Sequence, residues 1–188
     1  MSAVRILLLS VLMTLAGASR AAECLGVSMP DQFVLDGQPL ELNGLGARLA
    51  TMLKVKVYVA GLYLEQHSAD AASIIATDQP RHLVLHFVRD VDKKEITDAW
   101  TEGFKKNDAD MKALATRIDA LNNAMTDLAS GSILAFSYEP GKGTAVIIDD
   151  VNKTVIEGAD FASGLMSIWL GDPPNPEVKT GLLGGDCD

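Results

Sequence analysis

The sequence predicts an α+β domain in which helices are layered on one face of an antiparallel, twisted sheet. Strand patterns come first, helical patterns follow and strand patterns return, with short turn signals between them. Alternation is clearest from Lys54 to Leu64, where Val55, Val57 and Val59 fall on one face and Lys54, Lys56, Tyr58, Ala60 and Leu62 on the other. Apolar residues recur at helical spacing over Lys93–Lys105 and Met111–Leu128.

The first residues are set aside from the fold. Arg5 precedes an almost wholly apolar run from Ile6 to Leu15, and small residues from Ala16 to Ala21 surround a plausible cleavage point. Residues 1–21 read as a secretory signal peptide, which makes the remainder, 22–188, one exported domain with a periplasmic location. That apolar run is too short for a membrane span, and no later stretch supplies one. Loss of Arg5 and Arg20 leaves 14 basic against 25 acidic residues, moving the formal charge from −9 to −11. Such a chain has no general attraction for nucleic acid or anionic lipid, so any anion must be held by a local site.

Gln32–Leu35 and Gln38–Leu42 flank Asp36-Gly37, a two-residue hairpin signal. The stretch Leu42–Glu65 continues as two long strands, with glycines crowding its start. The Val face of the second is expected to be core. Its other face begins with two cations and a phenol and turns apolar by Leu62, which suits either a sheet edge meeting solvent or the polar mouth of an apolar cleft. Ser68 or Asp70 can cap a short helix over Ala71–Ala76, stopped by Asp78-Gln79-Pro80.

His82–Val88 alternates as a strand, with Leu83, Leu85 and Phe87 on one face and His82, Val84 and His86 on the other. Two histidines four residues apart on a strand lie about 13 Å apart, too far to share a metal, so they read as a surface or cleft-lining pair and no metal or other cofactor is assigned. Asp92 with Glu95 forms a capping-box-like start for the helix Lys93–Lys105, whose Trp100 reads as core. Asn107-Asp108 opens the next helix. Strands follow over Ile133–Tyr138, Thr144–Ile148 and Lys153–Ile156, then a helix over Ala159–Leu170, ended by Gly171-Asp172-Pro173-Pro174, and a final turn or two over Glu177–Leu183. Cys24 and Cys187, the only cysteines, read as a disulfide in an exported chain, or as free thiols in mobile tails.

Three separated motifs carry a resemblance. Gly46-x-Arg48 leads to Val55-x-Val57-Tyr58-x-x-Gly61-Leu62-Tyr63-Leu64. Phe87-Val88-Arg89-Asp90-Val91 precedes a helix running to Trp100-x-x-Gly103-Phe104. Gly158-x-Asp160-Phe161 leads to Ser167-Ile168-Trp169-Leu170-Gly171-Asp172. In this order, over Leu42–Leu183, they resemble the chalcone isomerase-like family, and its bacterial secreted branch more than the plant enzymes. The resemblance implies an open-faced β-sandwich with a cleft between the sheet and its covering helices.

It also implies three functional readings. In the first, the chain is similar to the fatty-acid-binding members: Arg48 and Tyr58 hold the head of a small apolar carboxylate, and Lys94, Thr97 and Thr101 of the following helix complete the ligand-binding set. A guanidinium fits a carboxylate with two prongs, a phenol adds a third donor, and an apolar cleft takes the methylenes. In the second it is an isomerase, with Arg48 steadying the nucleophile. Tyr58, Lys94 and Ile168 then stand where the plant enzymes carry Thr, Tyr and a hydroxyl, which removes the means of polarising a ketone. In the third it is an interaction protein of the cell envelope with a vestigial cleft.

Overall fold

The computed structural model describes residues 21–51, 53–107, 109–173 and 175–187. The proposed leader, apart from Ala21, lies outside the described residues, as does Asp108. Ala21 opens strand β1 (Ala21–Cys24), which turns at Leu25-Gly26 into β2 (Val27–Pro30). This hairpin is not foreshadowed in the sequence reading. Its turn residues have φ of 51° and 84°, the left-handed pair of a type I′ turn.

The Asp36-Gly37 turn joins β3 (Gln32–Leu35) to β4 (Gln38–Ala50) as the sequence predicts. The chain continues through β5 (Val55–Leu64), α1 (Ala71–Ala76), β6 (Arg81–Phe87), α2 (Lys93–Lys106), α3 (Met111–Ala124), β7 (Ile133–Glu139), β8 (Gly143–Ile148), β9 (Val151–Ile156), α4 (Ala159–Leu170) and α5 (Pro176–Leu182). Strands β3 to β9 form one sheet in chain order, each neighbour antiparallel.

Cap chemistry sets the helix ends. The Asp70 carboxylate accepts from Ser73 N at 3.1 Å and starts α1. Helix α3 starts from Asp110, which accepts from Lys112 N and Ala113 N, rather than from Asn107-Asp108. It also ends a turn earlier than its apolar stripe suggests, because Met125 turns extended and Leu128 bridges backbone to backbone with Val91. Asp92 makes no side-chain cap bond, and Asp127 instead accepts from Lys93 N at 2.8 Å.

Two cores result. The larger lies between the front of the sheet (Leu62, Leu85, Phe136) and the helices (Phe104, Leu121, Phe161), all fully or almost fully buried. A smaller one lies on the back, where the β1–β2 hairpin lays Cys24, Val27 and Met29 over Leu45, Ala47 and Val59. The disulfide Cys24–Cys187 ties that hairpin to the C-terminal tail, whose Cys187 carbonyl accepts from Ala47 N at 2.9 Å.

Two expectations are corrected here. The Val face of β5 is not the main core: Ala60, Leu62 and Leu64 face the helices, Val59 lies under the back hairpin and Val55 is exposed. From Tyr58 onward the expected alternation holds, but the helices cover the Tyr58, Ala60 and Leu62 face, and a bulge then moves Val57 onto it as well. Arg48 pairs with Tyr58 but Leu49 pairs with Lys56, so Val57 is an extra residue on β5 that joins Tyr58 on the front. His82 is neither surface nor cleft lining, being 3 % exposed, stacked on Phe33 at 3.7 Å between centroids and within 2.7 Å of Ser137 Oγ through Nδ1.

Candidate ligand-binding site

The Gly-x-Gly-x-Arg run of β4 builds one end of the site. Gly44, Gly46 and Arg48 share the front face, and a β-carbon on either glycine would run into the backbone oxygens of Gly181 or Val178 in α5. Glycine there lets the α5 backbone lie directly on β4. The residue ahead of α5, Asn175, is pinned as a result. Its amide nitrogen donates to Ala47 O at 3.2 Å, and its amide oxygen accepts from Arg48 Nη1 at 3.2 Å. Arg48 also donates to the Leu49 carbonyl. It has no carboxylate partner among the described residues, although it is half-buried.

Tyr58 stands directly across the β4–β5 ladder from Arg48. Its hydroxyl accepts from Trp169 Nε1 at 3.0 Å, and its ring meets Phe87 edge to face at 5.4 Å. Burial pushes the phenol above its ordinary range, an effect that the Trp169 bond and the Arg48 charge only partly offset. Tyr58 is therefore a neutral donor at physiological pH. With Trp169 donating to its oxygen, its own proton has no acceptor among the described residues.

Arg48 and Tyr58 form one wall of a cleft of ≈ 370 Å³ between β4–β6 and the helices α2 and α4. Its lining is largely apolar, with Val57, Phe87, Ile96, Trp100, Ile168 and Trp169 the main contributors. Trp100, Phe136 and Trp169 pack mutually edge to face or tilted, with centroids 5.3 to 5.9 Å apart. Charged groups ring the mouth. Lys106 pairs with Asp172 at 3.0 Å, and Glu95 pairs with Arg89, so those two rim carboxylates already have counter-ions.

The family model for chalcone isomerase-like proteins matches residues 21–184, most of the chain. This chain belongs to the chalcone isomerase-like family. No curated protein matches it in sequence. Among solved structures, the fold is similar to that of a fatty-acid binding protein of Arabidopsis thaliana. The TM-score is 0.69 at 15 % identity, over 87 % of this chain and 96 % of the other. At that identity the likeness shows a shared fold.

Within this chalcone isomerase-like fold, the expected site residues part company. Arg48 and Tyr58 come together on the cleft wall. Lys94, Thr97 and Thr101 do not join them: Lys94 is exposed and pairs with Asp98, Thr97 donates to Lys94 O, and Thr101 donates to Thr97 O at 2.8 Å. The reason is helical phase. Ile96, Trp100 and Gly103 recur on the face of α2 that meets the cleft, and positions 94, 97 and 101 turn away from it. Ile168 lines the cleft with hydrocarbon. Trp169 and Asn175, which hydrogen-bond Tyr58 and Arg48, are neighbours of the pair that the sequence alone does not point to. The signals were one of only two tryptophans on an apolar helix, and an Asn-Pro pair at a helix start.

Proposed function

We propose that this protein is a non-catalytic carrier that holds a small apolar carboxylate, a medium-chain fatty acid or close relative, in the cleft between sheet and helices. The carrying observation is Arg48: a half-buried guanidinium without a carboxylate partner, beside a neutral phenol with a free proton, at one end of an apolar cleft. A buried or half-buried charge without a partner is costly, and a bound carboxylate would relieve that cost with two-pronged hydrogen bonds. The fatty-acid binding protein among the fold neighbours supports the same reading. At roughly 30 Å³ per water-sized group, the cleft has room for on the order of a dozen heavy atoms.

The chain is further proposed to be exported to the periplasm after loss of residues 1–21. The disulfide, which persists in oxidising compartments, supports this. Intact mass of the secreted protein should begin at or near Ala22.

The deciding experiment is a calorimetric series of straight-chain acids from six to eighteen carbons. Affinity should climb as methylenes are buried, by roughly 0.8 kcal/mol each, and level off once the cleft is full. Arg48→Ala should weaken binding by about ten-fold to a hundred-fold, the worth of a charge-assisted hydrogen bond. No length dependence, or wild-type affinity in Arg48→Ala, would sink the reading.

A further inference from the structure

The tip of the β4–β5 hairpin carries two features that neither the core nor the Arg48–Tyr58 pair explains. Leu53 is 87 % exposed, more than any other large apolar side chain among the described residues, and Val55 nearby is 43 % exposed. Lys54 and Lys56 alternate with them, and neither is ion-paired among the described residues. Lys54 N donates to Thr51 O at 3.1 Å, and both residues have left-handed φ. Leu53 thus stands exposed beside the Thr51–Lys54 hydrogen bond.

The position of the tip matters as much as its composition. Val55 is the ladder partner of Ala50, which lines the cleft, and Val57 beyond it lines the cleft too. Val57, Ala50 and Val55 therefore lead from the cleft toward the tip, where Leu53 stands exposed. On a chain with a formal charge of −9, two lysines beside the exposed leucine are a local concentration of positive charge. Hydrogen bonds from its own backbone N–H and from Asn175 hold the Glu177 carboxyl below the ordinary range, and Glu177 is near enough to Lys54 for that charge to help.

We infer that Leu53–Lys56 is a membrane-docking element that presses Leu53 into the surface of a bilayer bearing anionic headgroups. An acyl chain then passes along Val55, Ala50 and Val57 between bilayer and cleft. The transfer step rests on the fatty-acid reading above; the docking step does not. Leu53 supplies the apolar anchor, and Lys54 and Lys56 select the anionic surface. The negative charge of the rest of the chain keeps the association weak and reversible, as exchange of cargo requires.

Vesicle co-sedimentation of the mature, disulfide-bonded protein tests docking without any fatty acid. Association with phosphatidylglycerol-containing vesicles should exceed that with pure phosphatidylcholine vesicles. Leu53→Glu should reduce it about ten-fold or more. The pair Lys54→Glu and Lys56→Glu should remove the preference for the anionic surface. Val151→Glu, which alters a valine 53 % exposed on the far edge strand, should leave association unchanged and controls for general charge. Sedimentation that is absent in the wild type, or equal in Leu53→Glu, overturns the inference. A wild type indifferent to phosphatidylglycerol overturns its anionic part.

A second arm follows release of a fluorescent fatty acid to vesicles. The rate should rise with vesicle concentration in the wild type and become independent of it in Leu53→Glu. A protein that docks but takes up no fatty acid would refute the carrier reading alone, and one that carries fatty acid but never docks would refute only this inference.

Discussion

Arg48 and Tyr58 divide the recognition of a carboxylate between charge and shape. Arg48→Lys keeps the cation but loses the planar fork and the bond to Asn175, so titration with a ten-carbon acid should recover only part of the affinity lost in Arg48→Ala. Tyr58→Phe removes one hydroxyl and should cost about 0.5–1.5 kcal/mol of binding. Tyr63 is the contrasting phenol: it points to the other face of β5 and donates to Pro30 O at 2.9 Å. Tyr63→Phe should lower stability to denaturant by about 1 kcal/mol while acid binding stays at the wild-type value.

His82 supports a prediction about pH. Burial pushes its pKa down to about 4, from 6.5 for a free imidazole. Above pH 6.5 neither the folded nor the unfolded chain protonates it, and it is neutral in the balance. Between 6.5 and 4 the unfolded chain takes up a proton that the folded chain refuses, so stability falls as pH falls, by on the order of 3 kcal/mol in all. Urea denaturation at pH 7.5 and 4.5 should show this loss in the wild type and a smaller one in His82→Gln, which still offers Ser137 a partner. Equal losses in the two would show that the carboxylates, and not this imidazole, set the acid limit.

At the scale of elements, α5 is the part that sets the position of Arg48, because its backbone rests on Gly44 and Gly46 and it presents Asn175. Gly46→Ala puts a methyl group against that backbone and should destabilise the fold by about 1–3 kcal/mol. It should also weaken acid binding, although residue 46 lies outside the cleft lining, since Asn175 is displaced from Arg48. Denaturant titration and calorimetry on one preparation check both effects.

The same scale shows how far the sequence could be read. Helices α1 and α4 are legible to the residue because Asp70 caps one and glycines flank the other. The β3–β4 hairpin is legible from Asp36-Gly37, whose backbone needs are specific. The alternation of β5 is legible from Tyr58 onward, but not which face the helices cover, nor Val57, which an extra residue shifts to the front. The β1–β2 hairpin was hidden because Ala21–Cys24 borders a cleavage-like stretch and is too short to show a period. In the site, the pairing of Arg48 with Tyr58 follows from the hairpin, whereas Lys94, Thr97 and Thr101 needed the rotation of α2, which Ile96, Trp100 and Gly103 decide.

Across the whole molecule, the disulfide closes a separation of 163 residues and fastens the back hairpin to the tail that follows α5. Chain-entropy arguments give such a loop about 4–5 kcal/mol of stabilisation. Reduction with dithiothreitol should therefore lower the denaturation midpoint, as should Cys187→Ser without reductant. Because the freed tail adjoins α5, reduced protein should also bind acid more weakly than oxidised protein. Unchanged affinity on reduction would show that the glycine contacts alone hold α5 in place.

The bulges of the long hairpin bear on what happens when the gene gains or loses codons. Along most of β5, loss of one residue turns over everything beyond it: without Val59, Tyr58 would slip to the back of the sheet and leave Arg48 without its neighbour. Val57 differs, because it is already supernumerary. Its deletion leaves Leu49 opposite Lys56, Ala50 opposite Val55 and Arg48 opposite Tyr58, while straightening the strand and emptying one side chain's worth of the cleft. Asn43 is the corresponding spare residue of β4, but its amide holds Ser68 and Leu182 through three hydrogen bonds, so its loss would loosen the chain at α5 as well. Of the two places where the hairpin can change length without turning over, Val57 is the one at which the cleft itself is resized.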